Sequence, residues 1–156
     1  METIKIGIVD DHKLVSKALE NLISFNVNFR VTMNCFNGQD FMDQLRTTTD
    51  HPDVVLMDIN MPIKNGIEAT QEVSKEFPNI KVIALTMEDN ETTIIRMLKA
   101  GAKGYLLKDM SPDILFDAID IVNKQGTFYT DLLTQSLLKI KTEEKLVQNL
   151  NDSFKS

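Results

Sequence analysis

The sequence predicts an α/β fold, a five-stranded parallel sheet wound with helices on both faces. Short apolar runs recur at 4–9, 29–36, 53–57, 80–85 and 103–107, and turn residues followed by a helical pattern come after each. Strands alternating with helices at these spacings imply right-handed crossovers onto a mostly parallel sheet covered on both sides. In such folds ligands bind outside the carboxyl ends of the strands, which makes the residues just after each apolar run the first to inspect.

The first strand, 4–9, leads into a helix over 12–25 with Leu14, Val15, Ala18, Leu19, Leu22 and Ile23 at helical spacing. After the second strand, Asn37-Gly38 can start a helix carrying Phe41, Met42 and Leu45. The third strand, 53–57, holds the run Val-Val-Leu-Met, which predicts burial on both faces and a central place in the sheet. Pro62 and Asn65-Gly66 break the chain before a helix over 67–77, which Pro78-Asn79 ends. The helix over 91–100 closes at Gly101, a left-handed cap, and Ser111-Pro112 opens the last one with Ser as N-cap and Pro at the first helical position. Ile114, Leu115, Ala118, Ile119 and Val122 form its expected inner stripe. Beyond residue 126 the pattern changes: 132–150 has helical spacing but no strand follows. The expected division is a domain over 1–126 and a C-terminal helix or linker over 127–156.

A chain of 156 residues with 42% hydrophobic and 26% charged content can bury one good core. The formal net charge of -6 argues against direct binding of nucleic acid or a membrane surface, which needs a basic face. No apolar run approaches the roughly 18 residues needed to span a bilayer, and the N-terminus lacks a signal peptide's apolar segment, so a cytoplasmic protein is expected. The single cysteine, Cys35, reads as a small buried hydrophobe.

The chemistry lies at the strand ends. Asp10 and Asp11 follow the first strand, Asp58 the third, Thr86 the fourth and Lys108 the fifth. Unit charges about 5 Å apart repel by roughly 3 kcal/mol at an effective dielectric near 20, so converging acids call for a cation. Magnesium suits a site that offers few carboxylates and leaves room for water and a substrate phosphate. Asp58 is then a candidate nucleophile, Lys108 a fixed counter-cation and Thr86 a hydroxyl that could bond a phosphoryl oxygen. Taken singly, each residue has a bland reading: a strand-end Asp as a turn residue, Thr86 as a backbone-bonded hydroxyl, Lys108 as a solvated charge. The joint pattern outweighs these. His12 reads as a helix-start residue, since imidazole is a poor magnesium ligand, and His51 as solvent-facing. The eight methionines read mainly as core filler, with Met87 and Met97 near the strand ends of interest.

The segments VDDH (9–12), LMDINMPIKNG (56–66), ALTM (84–87) and AGAKGYLLKD (100–109) resemble the response-regulator receiver domain of two-component signalling, over about residues 3–125. The wording of the second and fourth is most similar to receivers of the NarL/LuxR type. The resemblance implies a flavodoxin-like strand order 2-1-3-4-5. It implies Asp58 as phosphoacceptor, with magnesium held by Asp11, by Asp58, by the backbone carbonyl of Asn60 and, largely through water, by Asp10. Lys108 would bind the phosphate, Thr86 would be the switch hydroxyl and Tyr105 the aromatic that moves between outward and inward positions. Many receivers carry a cis-proline after the lysine; Asp109 stands there in this chain. The resemblance also implies a sensor histidine kinase as donor, slow self-dephosphorylation and a switching face over 91–101, 103–107 and 111–124, used for homodimerisation on phosphorylation. Contact with DNA would run only through a helix-turn-helix output domain, which this chain does not contain, in control of transcription; a stand-alone signalling receiver is the other reading. A haloacid-dehalogenase-type phosphatase uses a similar residue set but needs an acid two residues after its nucleophile, where Asn60 stands here.

Overall fold

The computed structural model describes residues 3–87 and 90–128; the helix expected over 132–150 lies outside them. In chain order the elements are β1 (Ile4–Val9), α1 (Lys13–Ser24), β2 (Phe29–Cys35), α2 (Gly38–Thr47), β3 (Val54–Asp58), α3 (Gly66–Glu76), β4 (Lys81–Thr86), α4 (Glu91–Ala100), β5 (Gly104–Leu107) and α5 (Pro112–Gln125). The strands form one sheet in the order β2-β1-β3-β4-β5, and every pairing is parallel. Each expected strand is present, shifted by at most one residue at either end. Past Gly126 the chain still touches the sheet: Phe128 donates its N–H to the Lys103 carbonyl and bridges to Gly104.

Alternation along the strands sends side chains to two layers. Ile6, Ile8, Val54, Leu56, Ile83 and Leu85 meet α1 and α5 on one face. Val9, Val55, Met57 and Val82 meet α2 and α3 on the other, and Ala84 and Tyr105 meet α4 beside them. All five residues of β3 are buried, as its continuous apolar run predicts for a strand with neighbours on both sides. Each aliphatic side chain so enclosed contributes roughly 1.5–3 kcal/mol. The edge strand β2 is broken by an extra residue, since Ile6 pairs with Val31 but Gly7 with Met33, and such a bulge blunts an exposed edge.

The helices follow their caps more closely than their predicted stripes. Asn37, Asn65 and Asn90 each accept an N–H from the third residue onward, and Glu68 returns a bond to the Asn65 N–H to complete a capping box. Ser111 differs: it sits at the N-cap but its side chain makes no capping bond, and Pro112 alone marks the start of α5. In α1 the inward line is Ser16, Leu19 and Ile23, while Leu14 is 87% exposed and Ala18 is exposed. Leu14 lies five residues from Leu19, well over a quarter-turn off the buried line. Ser16 takes an inner place because its hydroxyl donates to Asn34 Oδ1 on β2 at 2.7 Å. Ile114 likewise turns outward from Leu115, Ala118, Ile119 and Val122.

Three single residues complete the comparison with expectation. Cys35 is buried, and burial, helped by the Asp40 charge, pushes its thiol up to about 12, so it is an inert packing group. His51 is half-buried rather than solvent-facing, with Nε2 2.8 Å from the Leu45 carbonyl and its ring edge-on to Phe77. Met97 is core, whereas Met87 is largely exposed.

The loop between β3 and α3 is held tightly against the end of β3. Gly66 donates its N–H to the Ile59 carbonyl, and a Cβ at this position would collide with the Asp58 carbonyl oxygen. Between Pro62 and Lys64 the chain makes a three-residue turn, closed by the Lys64 N–H on the Pro62 carbonyl at 2.7 Å. Its central residue, Ile63, has φ of 69°, a region that β-branched side chains avoid, and its side chain is 80% exposed. Gly66→Ala is expected to lower stability by roughly 2 kcal/mol or more in urea unfolding. Ile63→Gly is expected to raise it by up to about 1 kcal/mol, since the strain is relieved and no buried contact is lost; an unchanged or lowered midpoint would show that the turn stores no strain.

Candidate functional site

Because every ladder is parallel, the carboxyl ends of all strands share one edge of the sheet. The pairing of Val9 with Met57 sets Asp10 beside Asp58, and the pairing of Thr86 with Leu107 sets Lys108 just past Thr86. The Lys108 N–H extends that ladder by donating to the Thr86 carbonyl at 2.7 Å. The acids sit where the strand order reverses between β1 and β3, the position at which open α/β sheets leave a crevice.

Lys108 Nζ bridges two acids, lying 2.9 Å from Asp10 Oδ2 and 3.1 Å from Asp58 Oδ1. Asp58 Oδ1 also accepts the Ile59 N–H, and Asp10 Oδ1 accepts the His12 N–H, each at 2.9 Å. Asp10 and Asp58 are only 1% and 5% exposed. Burial, reinforced by the Asp10 charge and opposed by Lys108, pushes the Asp58 carboxyl up to about 6. Burial alone would lower the Lys108 ammonium, but its bonds to Asp10 and Asp58 outweigh that and hold it above its ordinary value. Among the described residues the Lys108 ammonium pairs with Asp10 and Asp58, and Asp11 adds a third carboxylate close by.

Two buried oxygens here, Asp11 Oδ1 and Asp58 Oδ2, accept no hydrogen bond. Buried acceptors left unsatisfied cost about 1–3 kcal/mol each, more when charged. Asp10, Asp11, His12 and Asp58 offer ligand atoms all within 4.8 Å of one another. That donor set, with spare negative charge and unsatisfied oxygens, fits a divalent cation.

The other expected residues gather around the same edge. Asp58, Asn60, Thr86 and Lys108 line a cleft of about 180 Å³, together with His12, Met87, Asn90 and Thr93. Thr86 is 7% exposed. Asp10 and Asp11 lie behind this lining with Asp58, and Tyr105 stands apart from it, buried among Ala84, Ile94 and Met97, which is the inward of its two expected positions. No cis peptide occurs among the described residues, so Asp109 follows Lys108 through a trans bond. His12, read from sequence as a helix start, is the N-cap of α1 but makes no side-chain capping bond; its Nδ1 lies 3.2 Å from Asp10 Oδ1 and 3.3 Å from Asp11 Oδ1. Its place directly after the acid pair was the available signal. Asn90 and Thr93 reach the cleft from the start of α4, a placement that no local pattern announces.

The profile of the response regulator receiver domain matches residues 6–120. The transcriptional regulatory protein DegU of Brevibacillus brevis is 36% identical over 87% of this chain. LnrK of Bacillus subtilis, also a transcriptional regulatory protein, is 36% identical over 96% of it. This chain spans 57% of the length of the first and 67% of the second. Among solved structures, a LuxR-family two-component response regulator from Aurantimonas sp. SI85-9A1 superposes with a TM-score of 0.78 at 27% identity, covering 90% of this chain and 99% of that one. A LuxR-family DNA-binding response regulator from Staphylococcus aureus gives 0.71 at 29% identity, covering 78% of this chain and 99% of that one. The acid pocket at the sheet edge, the strand order and these relatives converge: the chain belongs to the response regulator receiver family, among regulators of the NarL/LuxR type.

Proposed function

We propose that Asp58 accepts a phosphoryl group from a sensor histidine kinase, in the presence of magnesium, and that the resulting charge change switches the conformation of the domain. The observation that carries this reading is the division of labour on one carboxylate: Asp58 Oδ1 is held by Lys108 and the Ile59 N–H, while Oδ2 is buried without a donor. Asp10, Asp11, Asp58 and the backbone carbonyl of Asn60 would hold the metal. Bound there, magnesium screens the repulsion between the Asp58 carboxylate and the incoming phosphoryl oxygens. Oδ1 forms the new O–P bond as the N–P bond to the donor histidine breaks and the imidazole leaves; Oδ2, buried without a donor, would be left to face the cation. Lys108 then transfers its contact from Oδ1 to a phosphoryl oxygen.

Thr86 stands at the rim of the same cleft and has a hydroxyl to offer that oxygen; drawing it in would move the start of α4 and the packing around Tyr105. Asn60, two residues past Asp58, has no acid proton to give a leaving group, so turnover of the phosphoryl adduct is slow and self-phosphorylation weak. Phosphorylation promotes homodimerisation through the face over 91–101, 103–107 and 111–124. Residues 1–126 form the receiver, and the segment over 127–156 links it to an output domain through which DNA is bound and transcription controlled in the cytoplasm. The names of the relatives support that output, and the net charge of -6 argues against DNA contact by this segment itself.

Incubation with magnesium and acetyl phosphate is expected to add one phosphoryl group in intact-mass spectra, none in Asp58→Asn, and to proceed at least about 10-fold more slowly in Lys108→Ala. Rapid phosphate release without an adduct would overturn the assignment. The electrostatics give a second test. A carboxyl raised in the folded state stabilises fully below its ordinary value of 3.8, and that contribution is lost as the pH climbs through about 6. In chelator, wild-type stability is therefore expected to fall relative to Asp58→Asn between about pH 4 and 7, as read by urea unfolding; saturating magnesium is expected to close that gap at neutral pH.

A further inference from the structure

We propose that His12 is itself a metal ligand at this cluster, and that its imidazole gives the site a preference for a borderline first-row cation, such as nickel or cobalt, beyond what the acids alone confer. The inference rests on the reading of Asp10, Asp11 and Asp58 as a cation site. Several features of the ring support it. His12 Nδ1 lies 3.2 Å from Asp10 Oδ1, 3.3 Å from Asp11 Oδ1 and 4.0 Å from Asp58 Oδ2, so it faces three carboxylates from two strand ends. Nδ1 is within hydrogen-bond reach of Asp10 Oδ1 and nearly as close to Asp11 Oδ1, so the ring already turns toward the acids that would hold a cation.

The spacing suits a common ion. Ligand atoms bound at about 2.1 Å to one octahedral cation lie about 3.0 Å apart at adjacent positions and about 4.2 Å apart across it. The distances from Nδ1 fall in that span. Independently of the histidine, Asp58 is more than nine-tenths buried and its Oδ2, on the His12 side, has no hydrogen-bond donor. The ring is also available for the role. As N-cap of α1 it makes no side-chain capping bond, its side chain is 62% exposed and so open to an entering ion, and its own N–H is fixed on Asp10 Oδ1. In the tautomer protonated at Nε2, the Nδ1 lone pair is directed at the acids. Magnesium, a hard ion, gains little from imidazole, whereas nickel and cobalt gain substantially.

The experiment is calorimetric titration of the full, untagged chain with magnesium and with nickel, comparing wild type with His12→Ala, His12→Gln and Asp11→Asn, together with the visible absorption of the cobalt-loaded forms. Both His12 variants are expected to lose at least about 10-fold in nickel affinity while magnesium affinity changes by less than about 2-fold, and the cobalt spectrum is expected to shift when the ring is removed. Unchanged nickel affinity, or an equal loss for both metals, would overturn the role of His12 and leave the acid site standing. Failure of the wild type to bind either metal, or an Asp11→Asn variant that binds both as well as wild type, would overturn the acid site and the histidine's role together. His12→Gln keeps a polar side chain of similar reach, and magnesium affinity retained by both variants excludes loss of fold as the cause.

Discussion

One buried ammonium against converging carboxylates sets the character of this molecule. Lys108 lies between Asp10 and Asp58, and all three are held by strands whose register leaves them no route apart. Each is nearly enclosed, so charges that would be worth little at the surface act strongly on one another. Lys108 neutralises only part of the negative charge; burial, with the Asp10 charge behind it, keeps Asp58 difficult to ionise, and two buried oxygens stay unsatisfied. A receiver needs that imbalance, because a site already content electrostatically would have no use for a cation or a phosphoryl group.

The rest of the fold serves to maintain the arrangement. The full burial of β3 fixes the strand that ends in Asp58, and the two helical layers press on it from either face. Gly66 lets α3 begin directly against the Asp58 carbonyl, where no side chain would fit. The strained turn at Ile63 brings the Lys64 carbonyl onto the Gly38 N–H, tying the loop after Asp58 to the start of α2. Gly101 adopts a left-handed cap with φ of 116°, and Ser74 bonds the Ala100 carbonyl, so α3 and α4 are fastened together at the ends remote from the cleft.

Much of the site was legible because its members stand at strand ends, and strand ends are marked in the sequence by apolar runs that stop. Asp10, Asp11, Asp58, Thr86 and Lys108 could each be placed on one edge once the strands were taken as parallel. His12 begins α1 as its position suggested, but the direction of its ring was not legible: a residue beginning a helix has several orientations, and only the packed acids show which one it adopts. Leu14 and Ile114 carried the right periodicity but the wrong face, since an apolar stripe one residue too wide does not show which edge meets the core. His51 looked solvent-facing, yet the Leu45 carbonyl a turn before it and Phe77, far along the chain, half-bury it.

Element order, the asparagine caps, the central place of β3 and the kinds of group delivered to the sheet edge were determined by the sequence, because hydrophobic period and turn chemistry act over a few residues. The tertiary structure alone decided which oxygen of Asp58 is bonded and which is left open, that Lys108 reaches two acids at once, and that Tyr105 lies inward. Those outcomes depend on register between strands far apart in the chain and on the volume left by neighbouring helices, which no local window contains.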